Sequence, residues 1–382
     1  MFPSTAPGMR RDKVVISANQ HWVRIMNVSY RRLLKFSEEI FLKIGLAEYD
    51  AITASLNLLS ADLRGVDSHG VARLSGYVRL WDAGRINSKA KPFIIHESPT
   101  TASVNGDEGL GLVVADYAMK VAIQKAEKYG SGWVSVQNSS HFGIAGIHAM
   151  QALEKDMIGM AFTNASPLVS PTFSTGRMLG TNPIAVAIPA GEQPPFVADF
   201  ATTTAANGKL EIAQRLNKEV PNGWVQTKFG EPSTNPHELK EGGSLLPLGS
   251  DREHASHKGF MLGSIVDIFS GVLSGANFGP FVPPFPAYVP MPSFMPGKGI
   301  GHFFGAMRID GFRPADNFKR DMDLWISEFR KAPAVDPLQP VVIPGDPERE
   351  AERERREKGI FLEGSVVEDL NLLAGKFGLD LL

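Results

Sequence analysis

The sequence predicts an α/β protein: a helical N-terminal lobe joined to an α/β domain that is not of the Rossmann type. Three observations predict it. Apolar residues recur at helical spacing between residues 30 and 81. Beyond residue 99, short apolar runs alternate with helical segments. The G-x-G-x-x-G fingerprint is missing: GDEGLGLVVA (106–115) offers Gly109 and Gly111, but Val114 stands where the third glycine belongs, and no clear strand precedes it.

Residues 1–27 read as an extension. Arg10, Arg11 and Lys13 are accompanied by Asp12 and by no long apolar core, unlike a secretory signal. The helical lobe spans 28–98. Ser29 opens a helix in which Leu33, Leu34, Phe36, Ile40, Phe41 and Ile44 share a face. A second helix covers Ala47 to Leu63. A third starts near Ser68 or His69, runs to Trp81 and ends at Gly84.

An α/β domain is placed at 99–277. Helices are expected over 115–130, 144–155 and 203–216, and strands over 133–137, 158–164, 183–189 and 196–200. The segment 221–236 is turn-rich and reads as irregular. The longest apolar run, FMLGSIVDIFSGVLSGANFG (260–279), contains Asp267 and several glycines, so it reads as a buried core helix rather than a membrane span. A Pro-rich loop, 278–299, precedes a C-terminal part, 300–382, that returns to the helical lobe. That part has a strand at 302–309 and a helix at about 317–331. DPEREAERERREKG (346–359) is a solvated helix held by i,i+4 charge pairs.

A chain of 382 residues, 43% hydrophobic and 21% charged, is ordinary globular material. Its net charge of −2 gives no general attraction to nucleic acid or to an anionic membrane. There are no cysteines, which excludes thiolate chemistry. No HExxH, P-loop or G-x-S-x-G occurs, and the histidines lack the spacing of a metal site.

Two of the nine histidines sit at glycine-rich breaks, in DSHGVARLSGY (67–77) and SSHFG (139–143). On a helical wheel Val71, Leu74, Val78 and Trp81 form a packing arc, while His69, Arg73 and Tyr77 fall opposite. Arginine grips a carboxylate by paired hydrogen bonds, and histidine moves a proton near neutral pH. A solvated polar face is the plainer account of that arc. SSHFG lies at a strand's carboxyl end, where α/β ligands collect; the plain alternative makes His141 a loop residue. Thr163-Asn164 and Asp199 also close strands. Gly180, Thr181 and Asn182 offer a loop for phosphate or carboxamide, and Lys258 in SHKGF stands at a helix start.

Taken in order, RGVDSHGVARLSGY, SSHFGIAG, GTNPIAVAIPA, VADFATTTAANGK, HKGFMLGSIVDIFSGVLSGA and GHFFGAMR resemble the non-Rossmann malate/L-lactate dehydrogenase family over residues 28–382. That family includes ureidoglycolate dehydrogenase, diketogulonate reductase, sulfolactate dehydrogenase and cyclic imine reductases. The resemblance implies NAD- or NADP-linked interconversion of a 2-hydroxy acid and a 2-oxo acid, with malate or lactate as the default substrate. It also implies a cytoplasmic homodimer. Ser68, Arg73 and Tyr77 would line the substrate and His69 or His141 would carry the proton. Asp199 would support a catalytic imidazole. His141, Gly143, Thr181, Asn182 and Lys258 would meet the cofactor. An imine, ureidoglycolate or sugar-acid enzyme on the same scaffold is the alternative, and a non-catalytic nucleotide-binding protein the reading from another class. Two departures stand out: the Pro-rich loop, which could be a lid or a dimer contact, and Phe200, where the family often has methionine. Phe200 reads as a packing change.

Overall fold

The computed structural model describes residues 25–382, so Arg10, Arg11 and Lys13 of the extension lie outside the described residues. The first element, β1 (Ile25–Val28), begins within the last residues assigned to that extension. Helix α1 (Tyr30–Lys43) follows Ser29, whose Oγ accepts from Arg32 N at 3.4 Å. Its periodic face is buried at Leu33, Phe36, Ile40 and Phe41. Helix α2 (Glu48–Leu63) packs against it.

The predicted third helix is not continuous. The chain makes two 3-10 turns, Asp67–His69 and Val71–Arg73, before α3 (Leu74–Asp82). The cause is Asp62 at the end of α2. Its carboxylate accepts from Val71 N at 2.8 Å, and it presses so closely on Gly70 that a Cβ there would lie 2.0 Å from Oδ1. A helical wheel started at His69 therefore uses the wrong angle per residue before Leu74.

Next come β2 (Phe93–Glu97), β3 (Thr101–Asn105), α4 (Gly111–Tyr129) and β4 (Ser131–Ser139). Strands β3 and β4 are parallel, so a strand does precede GDEGLG and closes a βαβ unit. Only Ala102 and Val104 of β3 are buried; Thr101, Ser103 and Asn105 dilute its apolar signal. Then follow α5 (Ala145–Met150), β5 (Met157–Thr163), β6 (Ile184–Ile188), β7 (Phe196–Phe200) and α6 (Asn207–Arg215). The turn-rich stretch is less irregular than expected. It supplies β8 (Val225–Gln226) and β9 (Pro232–Ser233), which join β10 (Ser244–Leu245) in a small sheet.

Helix α7 (Ser256–Asp267) runs into a π-helical turn, Ile268–Val272. It is not the buried core helix expected. Met261, Ile265, Ile268 and Val272 are exposed by 57, 45, 53 and 52%. Asp267 explains why a carboxylate is tolerated there: it accepts from Asn164 Nδ2 at 3.1 Å and Gly279 N at 2.8 Å. No helix among the described residues is long and apolar enough to cross a membrane.

Strand β11 (Ile300–Arg308) inserts between β4 and β5, antiparallel to both, giving the seven-stranded order β2-β3-β4-β11-β5-β6-β7. After α8 (Ala315–Arg330) and α9 (Asp346–Lys358), β12 (Ile360–Glu363) pairs with β1, and α10 (Gly364–Phe377) joins the core of α1–α3. That core includes Leu33, Phe41, Leu58, Leu74, Tyr77, Ile360 and Leu370. Each such side chain contributes about 1.5–3 kcal/mol by leaving water.

Gly70→Ala is expected to destabilise the fold by about 2 kcal/mol or more, because the methyl group must displace the Asp62 carboxylate. A urea midpoint unchanged from the parent protein would refute this account of the break before α3.

Candidate active site

SSHFG leaves β4 and turns directly over the N-terminus of α4. Ser140 Oγ accepts from Gly111 N at 2.9 Å and donates to Gly109 O at 3.1 Å. The approach is so close that a Cβ on Gly111 would lie 2.1 Å from Ser140 O. The glycines of GDEGLG thus seat the histidine loop rather than a pyrophosphate. Gly143 adopts φ +81°, a left-handed turn that glycine takes without strain. Its N–H points at His141 Nδ1 at 3.4 Å.

Tyr77 of α3 reaches the same ring: its hydroxyl is 2.7 Å from His141 Nδ1. Tyr77 is fully buried, while His69 and Arg73 are half-buried, so the arc opposite the packing face is solvated only in part. The 3-10 turn before α3 swings His69 onto His141, with ring centroids 5.6 Å apart and planes 24° from parallel. Ser68 Oγ lies 2.9 Å from His69 Nδ1. Arg73 donates from Nε to Ser68 O at 2.6 Å and lies 3.4 Å from Glu211. The structure therefore brings Ser68, His69, Arg73, Tyr77, His141 and Gly143 together.

Phe285 is a member that sequence reasoning missed. The Pro-rich segment carries it to 4.8 Å from the His141 ring and edge-on to Tyr77 at 5.5 Å. The Arg73 guanidinium stands 5.8 Å from its ring centroid. The segment's backbone is anchored where Phe285 N donates to Ser166 Oγ at 2.8 Å. It thus covers His141, and the two enclose part of a cavity of about 360 Å³.

Burial governs the site's electrostatics. Desolvation, with Arg73 adding to it, lowers His69 to about 4. Desolvation lowers His141 well below the usual range, and His69 and Arg73 push it further down. Burial raises Tyr77, which stays protonated and able to donate. Both imidazoles are consequently neutral at pH 7. In each, a hydroxyl occupies Nδ1 and leaves the Nε2 edge for a ligand. For a proton to arrive at Nε2 the ring must be the Nδ1–H tautomer, whose N–H donates to the hydroxyl oxygen before and after the transfer.

Other predicted residues stand elsewhere. Asp199 does not meet an imidazole among the described residues. Its Oδ2 accepts from Gly146 N at 2.7 Å, and Arg64 attracts it electrostatically. Desolvation nevertheless raises its carboxyl to about 6. The residue as a whole is exposed, while its carboxyl is crowded by protein atoms where it meets Gly146. Phe200 is 41% exposed and is not a packing residue. Asn182 is fully buried and its amide is spent on backbone: Oδ1 accepts from Ala165 N at 3.2 Å and Nδ2 donates to Gly263 O at 2.9 Å. It braces the Thr181 loop against α7 instead of presenting its amide to a cofactor. Thr181 is half-buried there, and Lys258 is exposed on the first turn of α7. Asn164 is likewise consumed by Asp267, Asn277 O and Gly301 N.

His302 was also missed, although GHFF offered the signal of a third histidine beside a glycine. Its Nδ1 lies 2.7 Å from Thr163 Oγ1 and its Nε2 2.8 Å from Ser139 Oγ, so it ties the ends of β4 and β5 beneath the loop. Its ring stacks on Phe142 at 4.7 Å.

A family model described as malate/L-lactate dehydrogenase matches residues 28–371. The chain belongs to the malate/L-lactate dehydrogenase family. It is 39% identical to a malate dehydrogenase of Pyrococcus horikoshii over 91% of this chain and 95% of that one. It is 37% identical to a malate/(S)-sulfolactate dehydrogenase of Methanothermus fervidus, over 87% and 93%. The crystal structure of a malate dehydrogenase from Entamoeba histolytica superposes with a TM-score of 0.87 at 35% identity, covering 94% of this chain and 99% of that one. The family's mixed α/β fold, its oxidoreductase chemistry of the 2-hydroxy-acid dehydrogenase type and its use of a nicotinamide cofactor are therefore those of this chain.

His69 is expected to stay neutral through pH 6 and to titrate near 4. Side-chain ¹⁵N NMR across pH 3–8 measures this. A midpoint near the ordinary value of about 6.5 would remove desolvation as the controlling influence.

Proposed function

We propose that the stacked pair His69 and His141 is the acid/base centre of an enzyme that interconverts malate, or a similarly small 2-hydroxy acid such as lactate, with its 2-oxo acid. The observation that carries this reading is the pair itself: two neutral imidazoles, each held at Nδ1 by a hydroxyl, beside the guanidinium of Arg73. The malate and sulfolactate names of the relatives support the choice of substrate class.

In the oxidative direction an Nε2 of the pair takes the proton as the substrate O–H bond breaks, in the tautomer whose Nδ1–H donates to the neighbouring hydroxyl oxygen. Arg73 holds the C1 carboxylate, exchanging its long contact with Glu211 for paired hydrogen bonds. Phe285 and the Pro-rich segment keep water from the reacting carbon. The pair accommodates one proton, since His69 and His141 repel a second charge at this separation.

The donor set near α7 fits a nicotinamide dinucleotide. Lys258 supplies an exposed cation for a phosphate and Thr181 a hydroxyl. When bound, NAD or NADP supplies the hydride acceptor. We assign Gly143, beside His141, to the junction of the two ligands.

The exposed row Met261, Ile265, Ile268 and Val272 recurs along one face of α7 and its π-helical extension, and we assign it to contact between two copies of this chain.

His69→Ala and His141→Ala are each expected to lower turnover about 100-fold or more, with cofactor affinity changed little. The assay follows absorbance of both reduced cofactors with malate and lactate. Near-parental turnover in both variants would sink the assignment. Ile265→Asp is expected to shift the protein from dimer to monomer in sedimentation velocity. A parent that is already monomeric would refute the contact.

A further inference from the structure

We infer that Phe285 limits the bulk of the substrate side chain, by standing as a wall between the His69, Arg73 and His141 cluster and a largely apolar chamber behind it. This rests on the 2-hydroxy-acid reading of the site and adds a specificity residue to it.

The ring of Phe285 meets three residues of the site. Its centroid lies 4.8 Å from that of His141 and 5.5 Å from that of Tyr77, and the Arg73 guanidinium stands 5.8 Å from it. Phe285 and His141 line the cavity of about 360 Å³, whereas Arg73 and His69 do not. The ring therefore has Arg73 on one side and the cavity on the other. It is held in place rather than hung as a lid. A Cβ on Gly76 would lie 2.7 Å from its Cε1 and Cζ, so the tip of the ring rests on the backbone of α3. Phe285 N donates to Ser166 Oγ at 2.8 Å, and Arg85 Nη2 donates to the carbonyl of Pro284 just before it.

Behind the ring, Leu80, Pro283, Met291, Met295 and Ile300 supply apolar lining. The charged residues of the lining leave that character intact. Glu108 and Lys298 are exposed, and Arg85 is engaged with Pro284 O. The volume falls in the range of small-molecule sites. A substrate with its carboxylate on Arg73 and its carbinol at the imidazoles lies against the near side of the Phe285 ring. A methyl group fits beside such a ring. A branched or aromatic side chain must displace it, together with its contacts to His141, Tyr77 and Arg73. A clash of this kind is how a site rejects a molecule whose reacting end is suitable. Removing the ring joins the chamber to the cluster, and the phenyl group of 3-phenyllactate takes the place that Phe285 leaves.

The test compares Phe285→Ala and Phe285→Leu with the parent protein on lactate and 3-phenyllactate, with both cofactors. The quantity read is the ratio of kcat/KM for 3-phenyllactate to that for lactate. A ratio is needed because the ring also shields the site, so its removal slows lactate oxidation too. The parent is expected to favour lactate about 100-fold or more; Phe285→Ala raises the ratio roughly 30-fold or more, and Phe285→Leu raises it about three- to tenfold. A ratio unchanged in both variants would show that Phe285 only keeps water out, and a parent that uses both acids equally would show that the ring is no barrier; each overturns the inference. Calorimetric titration of 3-phenylpropanoate, run with NAD and again with NADP, needs no turnover. Phe285→Ala is expected to bind it at least about tenfold more tightly than the parent, and equal affinities overturn the wall. Should Phe285→Ala fail to fold, Phe285→Leu carries both measurements. Should the parent oxidise neither lactate nor malate, the enzymatic reading fails, and the titration still supports or overturns the wall.

Discussion

The hydrogen bond between the Tyr77 hydroxyl and His141 Nδ1 is the contact on which the site depends. Tyr77 belongs to the core of the helical lobe, and His141 to the loop that leaves the central sheet. Their 2.7 Å contact fixes the position of one layer against the other at the point where chemistry is placed. Tyr77 is fully buried, so parting the two leaves its hydroxyl unmet, at the cost of an unsatisfied buried polar group. His69 stacks on the imidazole held in this way, and Phe285 leans on both members of the bond.

Below this contact the loop is supported from the sheet and from α4. His302 cross-links Ser139 to Thr163, which is possible only because β11 enters between β4 and β5 late in the chain. Ser140 satisfies Gly111 N at the start of α4, taking the place that a phosphate oxygen holds in many βαβ proteins. His302 stands 163 positions from Ser139 and 139 from Thr163, and Gly111 stands 29 positions before Ser140. The loop is therefore held by the completed sheet and not by its own turn preferences.

This explains what could be read from the amino acids and what could not. Helix α1 was legible because its cap at Ser29 and its apolar period are local properties of consecutive residues. The His69, Arg73 and Tyr77 grouping was legible as a set of types but not as a geometry: Asp62, from the preceding helix, reshapes the backbone at Gly70 and rotates His69 relative to Tyr77. Strand β3 was hidden because its pairing with β4, not its composition, makes it a strand. Asn182 and Asn164 looked like ligand groups because a polar side chain at a strand end carries no sign of whether backbone will claim it. Phe285 gave no signal, since an aromatic residue among prolines has no period to announce its face. Asp199 was placed correctly at a strand end, yet its distance from any imidazole depends on how β7 lies against α5.

The low proton affinity of the histidines raises a question of direction: a group lowered to about 4 is a poor base for an alcohol at neutral pH. The causes of the shift contain the answer. After desolvation, Arg73 is the influence that lowers His69, and it also lowers His141. A substrate carboxylate bound to Arg73 cancels that influence and adds a negative charge of its own. An opposite charge within about 4–6 Å raises an imidazole by roughly 1–3 units, by the same argument that lowers a carboxylate beside arginine. In the binding mode proposed above, the substrate thus brings the proton affinity that its own oxidation requires. Without it the pair stays neutral, and the buried site avoids the cost of holding an unpaired charge. The dry environment that depresses the free histidines is also what makes the carboxylate's effect on them large.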